Sequence, residues 1–457
     1  MKIKILLLVL VDLALMLLGL WLALLIRFGK ELNPEMWQRH WQIFLPLFLA
    51  WLLVFYIDGF YELRSIKKGL TFYSHFLRDL IINLVITIVA FYFLGSLTSL
   101  KPQRVLLFFT LIFSASFYLW RLLFDSLLKT SPWLNKVLIV GLNESALDLA
   151  KEIIHKKSFG YQLVGIINWP INNLIVEPNF ASLIIAESID QLPKIAQAKK
   201  IDIIINANPN QADSKLTNAL FACLPLRVDI ASLPTFYENL TNKVPIHNIR
   251  PTWFLENLAG NRKKPYEILK RGTDLLLATG GSLLGIVFIP VIALLIKISS
   301  PGPVFFKQIR TGQNGKNFLA IKLRTMIVGA EKNGPQWASQ NDPRITGLGK
   351  FLRKTRLDEI PQFYNIIRGE MSFIGPRPER PEFIETLQEK IPFYKERLLV
   401  KPGLTGWAQI NAGYSGTFEG SLEKVQYDLY YIKNRSLILD LSIILKTIKI
   451  VLSGGGQ

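Results

Sequence analysis

The chain has 457 residues, half of them hydrophobic, with 53 Lys and Arg against 34 Asp and Glu and a formal net charge of +19. That length suits about three domains, and a single cysteine, Cys223, excludes an intrachain disulfide and a cysteine-built metal site. The positive balance calls for anionic partners. Because long apolar runs accompany it and no zinc-finger, helix-turn-helix or RNA-recognition signature appears, lipid phosphate and phosphorylated substrate are expected and nucleic acid is not.

Four apolar runs come first: 5–28, 43–61, 80–97 and 105–128. Each has about the 20 residues that cross roughly 30 Å of hydrocarbon as a helix, so residues 1–130 are expected to form four transmembrane helices. The first run has no small-residue cleavage site and is too long for a signal peptide, so it should be retained. Lys2, Lys4, Arg64, Lys67, Lys68, Arg78, Lys129 and Lys136 would share one side, and the positive-inside rule then puts the N-terminus and everything after Leu128 in the cytoplasm. Asp12 is costly in lipid and should face the bundle interior as a packing residue.

From Asn135 the pattern changes to short apolar strands alternating with amphipathic stretches, which predicts a Rossmann-like parallel α/β domain over residues 131–250. Its glycine fingerprint is poor. Gly141 is followed by Asn143 and Ala146 where second and third glycines would stand, so a structural or regulatory module is expected more than a dinucleotide site.

Residues 251–274 are polar and basic, which suggests a linker or interfacial helix. The apolar run that follows contains Pro290 and is flanked by Lys263, Lys264, Lys270 and Arg271 before it and by Lys297, Lys307 and Arg310 after it. Proline removes a helix hydrogen bond and bends the run. A helix at 275–298 that enters one leaflet and returns, with Lys270 and Arg271 at the headgroups, fits these features better than a fifth span.

Residues 299–457 would be a mostly helical α+β catalytic domain. Proline-glycine turns recur at Pro301-Gly302-Pro303, Gly375-Pro376 and Pro402-Gly403. Arginines and lysines cluster at Lys307, Arg310, Lys322, Arg324, Arg344, Arg353, Arg356 and Arg377, while acids are few: Asp342, Asp358, Glu359, Glu370 and Glu379. Such an inventory suits phosphate chemistry, in which cationic forks hold phosphoryl oxygens and a carboxylate attacks or holds a metal. The adjacent Asp358 and Glu359 would diverge by about 100° on a helix, which favours two separate roles over a shared proton. Thr355 three residues before Asp358 equally fits a capping-box variant, in which the acids only start a helix. All four histidines, His40, His75, His155 and His247, precede this domain, which narrows a nucleophile there to a carboxylate or hydroxyl.

Taken in order, the blocks Lys270-Arg271 with Asp274, Ser300 to Arg310, Lys322-Leu-Arg324, Asp342-Pro-Arg-Ile-Thr346, Leu357-Asp-Glu-Ile-Pro-Gln362, Gly369 to Ser372, Gly375-Pro-Arg-Pro-Glu379 and Lys401 to Gly406 resemble the bacterial sugar transferase family in its long form. That resemblance implies a membrane-embedded phosphoglycosyl transferase. It would pass hexose 1-phosphate, from UDP-glucose or UDP-galactose, to undecaprenyl phosphate with release of UMP and with Mg²⁺, at the start of exopolysaccharide or O-antigen assembly. It implies Asp358 as the nucleophile of a covalent phosphosugar intermediate and Glu359 as the Mg²⁺ ligand. Arg310, Lys322, Arg324, Arg344, Arg353, Gln362, Arg377 and Glu379 would bind substrate or phosphate, and Pro290 would mark the re-entrant helix. A homodimer in the bacterial inner membrane, with its catalytic domain facing the cytoplasm, is implied likewise. Leu323, Thr325 and Arg356 depart from the family pattern. The rival readings are a tethered nucleotide-sugar dehydratase or oxidoreductase, for which Tyr266 and Lys270 would supply the Tyr-x-x-x-Lys pair, and a non-enzymatic regulator of polysaccharide export.

Overall fold

The computed structural model describes residues 2–61, 69–98, 103–128, 134–155, 160–171, 178–208, 213–246, 249, 251–257, 264–330, 334, 342–413 and 417–452. Arg64, Lys67, Lys68, Lys129, His247 and Lys263 lie outside the described residues. The chain divides into two compact units, Met1–Leu233 and Pro234–Gln457.

In the first unit, four long apolar helices open the chain: α1 (Lys2–Phe28), α2 (Pro34–Asp58), α3 (Gly69–Thr98) and α4 (Gln103–Leu128). α2 and α3 begin well before their apolar runs, because a helix extends to its capping signals and not to the edge of its hydrophobic stretch. Asn33 accepts a hydrogen bond from the Met36 amide, Pro34 stands in the first turn, and Gly59 closes the helix in the left-handed region. Phe44, Phe48, Trp51, Phe55, Phe109, Phe113 and Phe117 form much of the shared core. Asp12 is fully buried there. It pairs with Arg121 of α4 at 2.5 Å and accepts from the Tyr61 hydroxyl at 2.8 Å, so its charge is compensated inside the helix cluster.

The same unit holds a five-stranded parallel sheet, β1 (Asn135–Val140), β2 (Tyr161–Ile167), β3 (Ile184–Ala186), β4 (Ile203–Asn206) and β5 (Asp229–Ser232), in the order β3-β2-β1-β4-β5. Helices α5 (Glu144–His155), α6 (Pro178–Ala181), α7 (Leu192–Lys199) and α8 (Ser214–Cys223) connect the strands. The crossover order puts the topological switch between β1 and β4, where this class of sheet binds nucleotides. Here one side chain links the two sides of that switch. Asn143 caps α5 by accepting from the Ala146 amide, and its own amide donates to the Ala207 carbonyl at 2.7 Å.

The second unit continues from α9 (Leu233–Thr241) with α10 (Pro251–Asn257) and the 36-residue α11 (Lys264–Ser299). Then follow the antiparallel hairpin β6 (Phe305–Thr311) and β7 (Asn317–Leu323), α12 (Gly347–Lys354), α13 (Gln362–Arg368), β8 (Ser372–Ile374), α14 (Pro381–Lys390), β9 (Gly403–Thr405), α15 (Trp407–Asn411), α16 (Phe418–Asn434) and α17 (Leu437–Leu452). α11 starts eleven positions before the apolar run and continues through Pro290 without interruption, so the boundary expected at residues 274 and 275 falls inside a helix.

α11 is two-faced along most of its length. Asp274, Ala278, Gly285, Ile292 and Ile296, at helical spacing, are buried. Ala278 packs with Phe318, Ile366 and Met371, and Ile292 and Ile296 pack with Leu323 and Leu352. The other face leaves Leu276, Leu283, Leu284, Val287, Phe288, Val291, Leu294 and Ile298 exposed. From Asp274 to Ile296 the helix advances about 33 Å at 1.5 Å per residue, and domain residues accompany it throughout.

Candidate active site

The acid pair lies in a single 3-10 turn, Leu357–Glu359, between α12 and α13. The capping-box expectation is corrected here. The Thr355 hydroxyl donates back to the Phe351 and Leu352 carbonyls of α12, and the next residue, Arg356, takes a left-handed conformation at φ 58°. A non-glycine residue held there stores backbone strain, and the reversal turns Asp358 and Glu359 inward. They are only 6% and 4% exposed.

Three cations from separate segments meet one oxygen, Glu359 Oε1. Lys322 at the end of β7 lies at 2.8 Å, Arg377 in the turn after β8 at 2.9 Å, and Arg356 at 3.6 Å. Burial works against the Glu359 charge, but these cations outweigh it and hold its carboxyl well below the usual range. Asp358 is treated differently. Burial, then the neighbouring Glu359, pushes its carboxyl above the usual range, although Lys322, Arg353 and Arg377 pull the other way. Its Oδ1 makes no hydrogen bond, and neither does the amide nitrogen of buried Gln362. Unpartnered buried polar atoms are rare: the free Asp358 oxygen leaves an acceptor open, while the cations around Glu359 supply the charge that an anion requires.

The Arg377 turn is braced from behind. β8 runs parallel to β9, with Ser372 opposite Gly403 and Ile374 opposite Thr405. A Cβ on Gly403 would fall 2.1 Å from the Gly375 nitrogen, so only glycine permits this approach. Arg310 donates to the Pro378 carbonyl at 3.0 Å and lies 3.7 Å from Glu379. Arg397, 6% exposed, donates to the Arg377 carbonyl at 3.0 Å, to the Tyr394 hydroxyl at 2.6 Å and to Asp428 at 2.8 Å. Burial pushes the Asp428 carboxyl up to about 6, against the pull of Arg397. Sequence reading did not single out Arg397 or Asp428, since no motif spacing links residues so far apart.

Several expected phosphate ligands serve other ends. Arg324 is buried and donates to the carbonyls of Ser300 and Pro301 and to the Ser300 hydroxyl; its contacts bracket the exit from α11. Arg344 forks onto Asp342 at 2.8 and 2.5 Å and donates to the Ala330 carbonyl, which closes its own loop. Arg353 donates to the Thr325 hydroxyl at 2.9 Å. Lys270 and Arg271, expected at headgroups, face the domain: Lys270 pairs with Asp440 at 3.1 Å, and Arg271 donates to the carbonyls of Ile366 and Ile367 at the end of α13. The Tyr266 hydroxyl also donates to Asp440, at 2.9 Å, so both members of the Tyr-x-x-x-Lys pair are engaged by one structural carboxylate.

Two known families match the chain. The family described as "Bacterial sugar transferase" matches residues 265–454, and the one described as "CoA-binding domain" matches residues 56–234. A UDP-glucose:undecaprenyl-phosphate glucose-1-phosphate transferase of Xanthomonas campestris pv. campestris is 30% identical over 371 residues, 79% of this chain and 72% of that one. The chain belongs to the bacterial sugar transferase family.

Two further members of that family widen the comparison. A UDP-N-acetylgalactosamine-undecaprenyl-phosphate N-acetylgalactosaminephosphotransferase of Aeromonas hydrophila is 40% identical over 237 residues, 50% of this chain and 55% of that one. A UDP-glucose:undecaprenyl-phosphate glucose-1-phosphate transferase of Escherichia coli K12 is 36% identical over 299 residues, 63% of this chain and 61% of that one. The matches thus span little more than half of these two relatives. Five helices, the four N-terminal ones and α11, are long and apolar enough to cross a membrane, and the sugar transferase is a membrane protein.

The carboxylates also fit a divalent cation of one kind. Among the described residues no three His, Cys, Asp or Glu side chains gather as a ready-made cage. Mg²⁺, however, takes one or two carboxylates and completes its shell with phosphate oxygens and water. The unbonded Asp358 Oδ1 and the adjacent Glu359 suit an ion that arrives with a diphosphate, whose charge the surrounding cations also require.

Proposed function

We propose that this sugar transferase moves hexose 1-phosphate from a UDP-sugar to undecaprenyl phosphate and releases UMP. The observation that carries the reading is the division of labour in the acid pair: Glu359 Oε1 is held by Lys322 and Arg377, while Asp358 is buried with Oδ1 unbonded. Asp358 attacks the phosphorus that bears the sugar. The bond from that phosphorus to the bridging oxygen breaks, UMP departs, and an aspartyl phosphosugar remains. An oxygen of undecaprenyl phosphate then attacks the same phosphorus, the bond to Asp358 breaks, and the carboxylate is restored. Lys322, Arg356 and Arg377 hold the phosphoryl oxygens and stabilise their charge. Glu359, with Asp358 beside it, would hold Mg²⁺, which supplies further charge neutralisation on the diphosphate.

α11 supports a one-sided attachment. The same soluble domain grips it near Asp274 and at Ile296, whereas a helix crossing the bilayer alone would carry these points to opposite sides. We take α11 as re-entrant, the catalytic domain as cytoplasmic, the membrane as the bacterial inner membrane and the assembly as a homodimer. Glucose or galactose is the expected hexose, and the Aeromonas relative's name puts N-acetylgalactosamine on the same panel. The test is UMP release from a panel of UDP-sugars with undecaprenyl phosphate, together with mass spectrometry of the protein exposed to donor alone. The expected result is one active donor and a phosphosugar adduct on Asp358. Undiminished UMP release by Asp358→Asn would overturn the mechanism.

A further inference from the structure

Beside the acid pair lies an apolar groove of about 370 Å³, walled by Ile286 and Ile289 of α11, Phe305 of β6, Ile321 of β7 and Ile360 immediately after Glu359. It is within the roughly 300–1,000 Å³ of ordinary ligand sites. One charged residue, Lys307, joins the lining. Among the described residues, no carboxylate lies within ion-pair distance of its ammonium. The wall formed by α11 is continuous with that helix's exposed apolar face, where Leu283, Val287 and Phe288 lie open.

We propose that this groove seats the head-proximal isoprenyl units of the acceptor lipid, with Lys307 pairing its phosphate. The inference rests on the function proposed above and adds to it the place where the acceptor binds. Three observations favour this occupant. First, the groove joins a face fit for hydrocarbon to the residue next to the acid pair, so a lipid seated in it brings its head toward Asp358. Second, its apolar lining gives a nucleotide or sugar few hydrogen-bonding partners, which separates it from the cationic donor site. Third, the lone ammonium complements a single phosphate group at the end of an apolar chain. The donor diphosphate and the acceptor phosphate then approach the same carboxylate from different sides, one through Lys322, Arg356 and Arg377, the other along α11.

Two measurements on the full-length protein in nanodiscs test this. In the first, a benzophenone-bearing isoprenyl phosphate is photocrosslinked with no UDP-sugar present. It should label peptides of α11 or α13, undecaprenyl phosphate should compete it away, and Ser282→Trp, which fills the groove, should abolish the labelling. Labelling that persists in Ser282→Trp, or that excess bilayer phospholipid removes equally well, overturns the proposal. In the second, Lys307→Gln should raise KM for undecaprenyl phosphate about tenfold, the loss expected for one charge-assisted contact, and Lys307→Arg should restore most of it. If Ser282→Trp fails to fold, the lysine pair decides alone, and an unchanged acceptor KM in Lys307→Gln overturns the proposal. Specific labelling of the groove without turnover of any UDP-sugar would sink the function proposed above while sparing this one.

Discussion

The buried guanidinium of Arg397 donates to the main-chain carbonyl of Arg377 at 3.0 Å, while the Arg377 side chain donates to Glu359 at 2.9 Å. Arg397 is fixed in turn by Asp428 and Tyr394. A buried ion pair thus sets the position of the arginine that bonds Glu359. Arg397→Lys keeps the charge but loses the fork that bonds three partners at once. We expect kcat/KM for the donor to fall by roughly 10- to 100-fold, the range seen when a supporting hydrogen bond behind a site is lost. KM for the acceptor should move far less, and that split distinguishes misplacement of Arg377 from general loss of structure.

The two carboxylates should fail in different ways. On the mechanism proposed above, Asp358→Asn removes the attacking oxygen and should abolish both the phosphosugar adduct and UMP release, by at least about 10³-fold, with a melting temperature close to that of the wild type. Glu359→Gln strips the common partner from Lys322 and Arg377. The carboxylate is buried but both cations keep contact with solvent, so stranding them costs less than the roughly 3–5 kcal/mol of a fully buried pair; this variant should still melt lower as well as lose activity. Equal melting temperatures for the two variants would contradict this division of roles between Asp358 and Glu359.

Acid sensitivity of the reaction follows from Asp358. Burial, followed by the adjacent Glu359, raises its pKa, and the proposed attack requires the ionised form. The acid limb of kcat/KM should therefore fall at a pH above the value of about 4 for an ordinary aspartate. The linkage has a definite sign. Since the folded state holds this proton more tightly than the unfolded chain, the associated stability is present below the unfolded pKa and is lost as pH rises through the folded one. In Asp358→Asn that part of the pH dependence of stability should vanish, which a series of melts across the acid range would reveal.

How much of this was legible in the sequence depended on whether the decisive contact was local. The four N-terminal apolar helices and the five strands of the parallel sheet follow from hydrophobic length and alternation, because each element's burial is written in its own residues. The acid pair stood out because carboxylates are scarce among so many cations. The destinations of those cations were not legible. Arg377 stands in a proline-glycine turn and Arg324 directly follows the strand β7, and both belong to the same run of cations, yet one meets a carboxylate and the other a pair of main-chain carbonyls; only tertiary contacts show which does which. Lys270 and Arg271 looked like headgroup anchors because they flank an apolar run. Their partners, Asp440 and the end of α13, lie about 100 to 170 residues away. The left-handed Arg356 carries no glycine to announce the turn.

Asp342 gives a prediction of the opposite sign. Hydrogen bonds from Arg344 lower its pKa to about 2. A depressed folded-state pKa stabilises fully above the unfolded value near 3.9 and is lost as pH falls through the folded one. Wild-type protein should accordingly lose stability between about pH 4 and pH 2 through this group. Arg344→Gln should be less stable at neutral pH and show a shallower decline over that interval, as read from urea midpoints.

The helix cluster offers a test that does not depend on catalysis. Asp12 is fully buried in α1 and bonded to Arg121 of α4 and to Tyr61. Apolar surroundings make an unpaired charge expensive, so Arg121→Leu alone leaves an uncompensated carboxylate and should destabilise the folded protein by about 3 kcal/mol. Asp12→Leu alone strands the guanidinium and should cost a similar amount. The double variant Asp12→Leu/Arg121→Leu removes both charges and should recover most of the loss, since the neighbouring helices already supply apolar contacts. Thermal melts of the four proteins in one detergent complete the cycle. Additive losses would mean that the pair contributes no mutual stabilisation, and that Asp12 is held by Tyr61 alone.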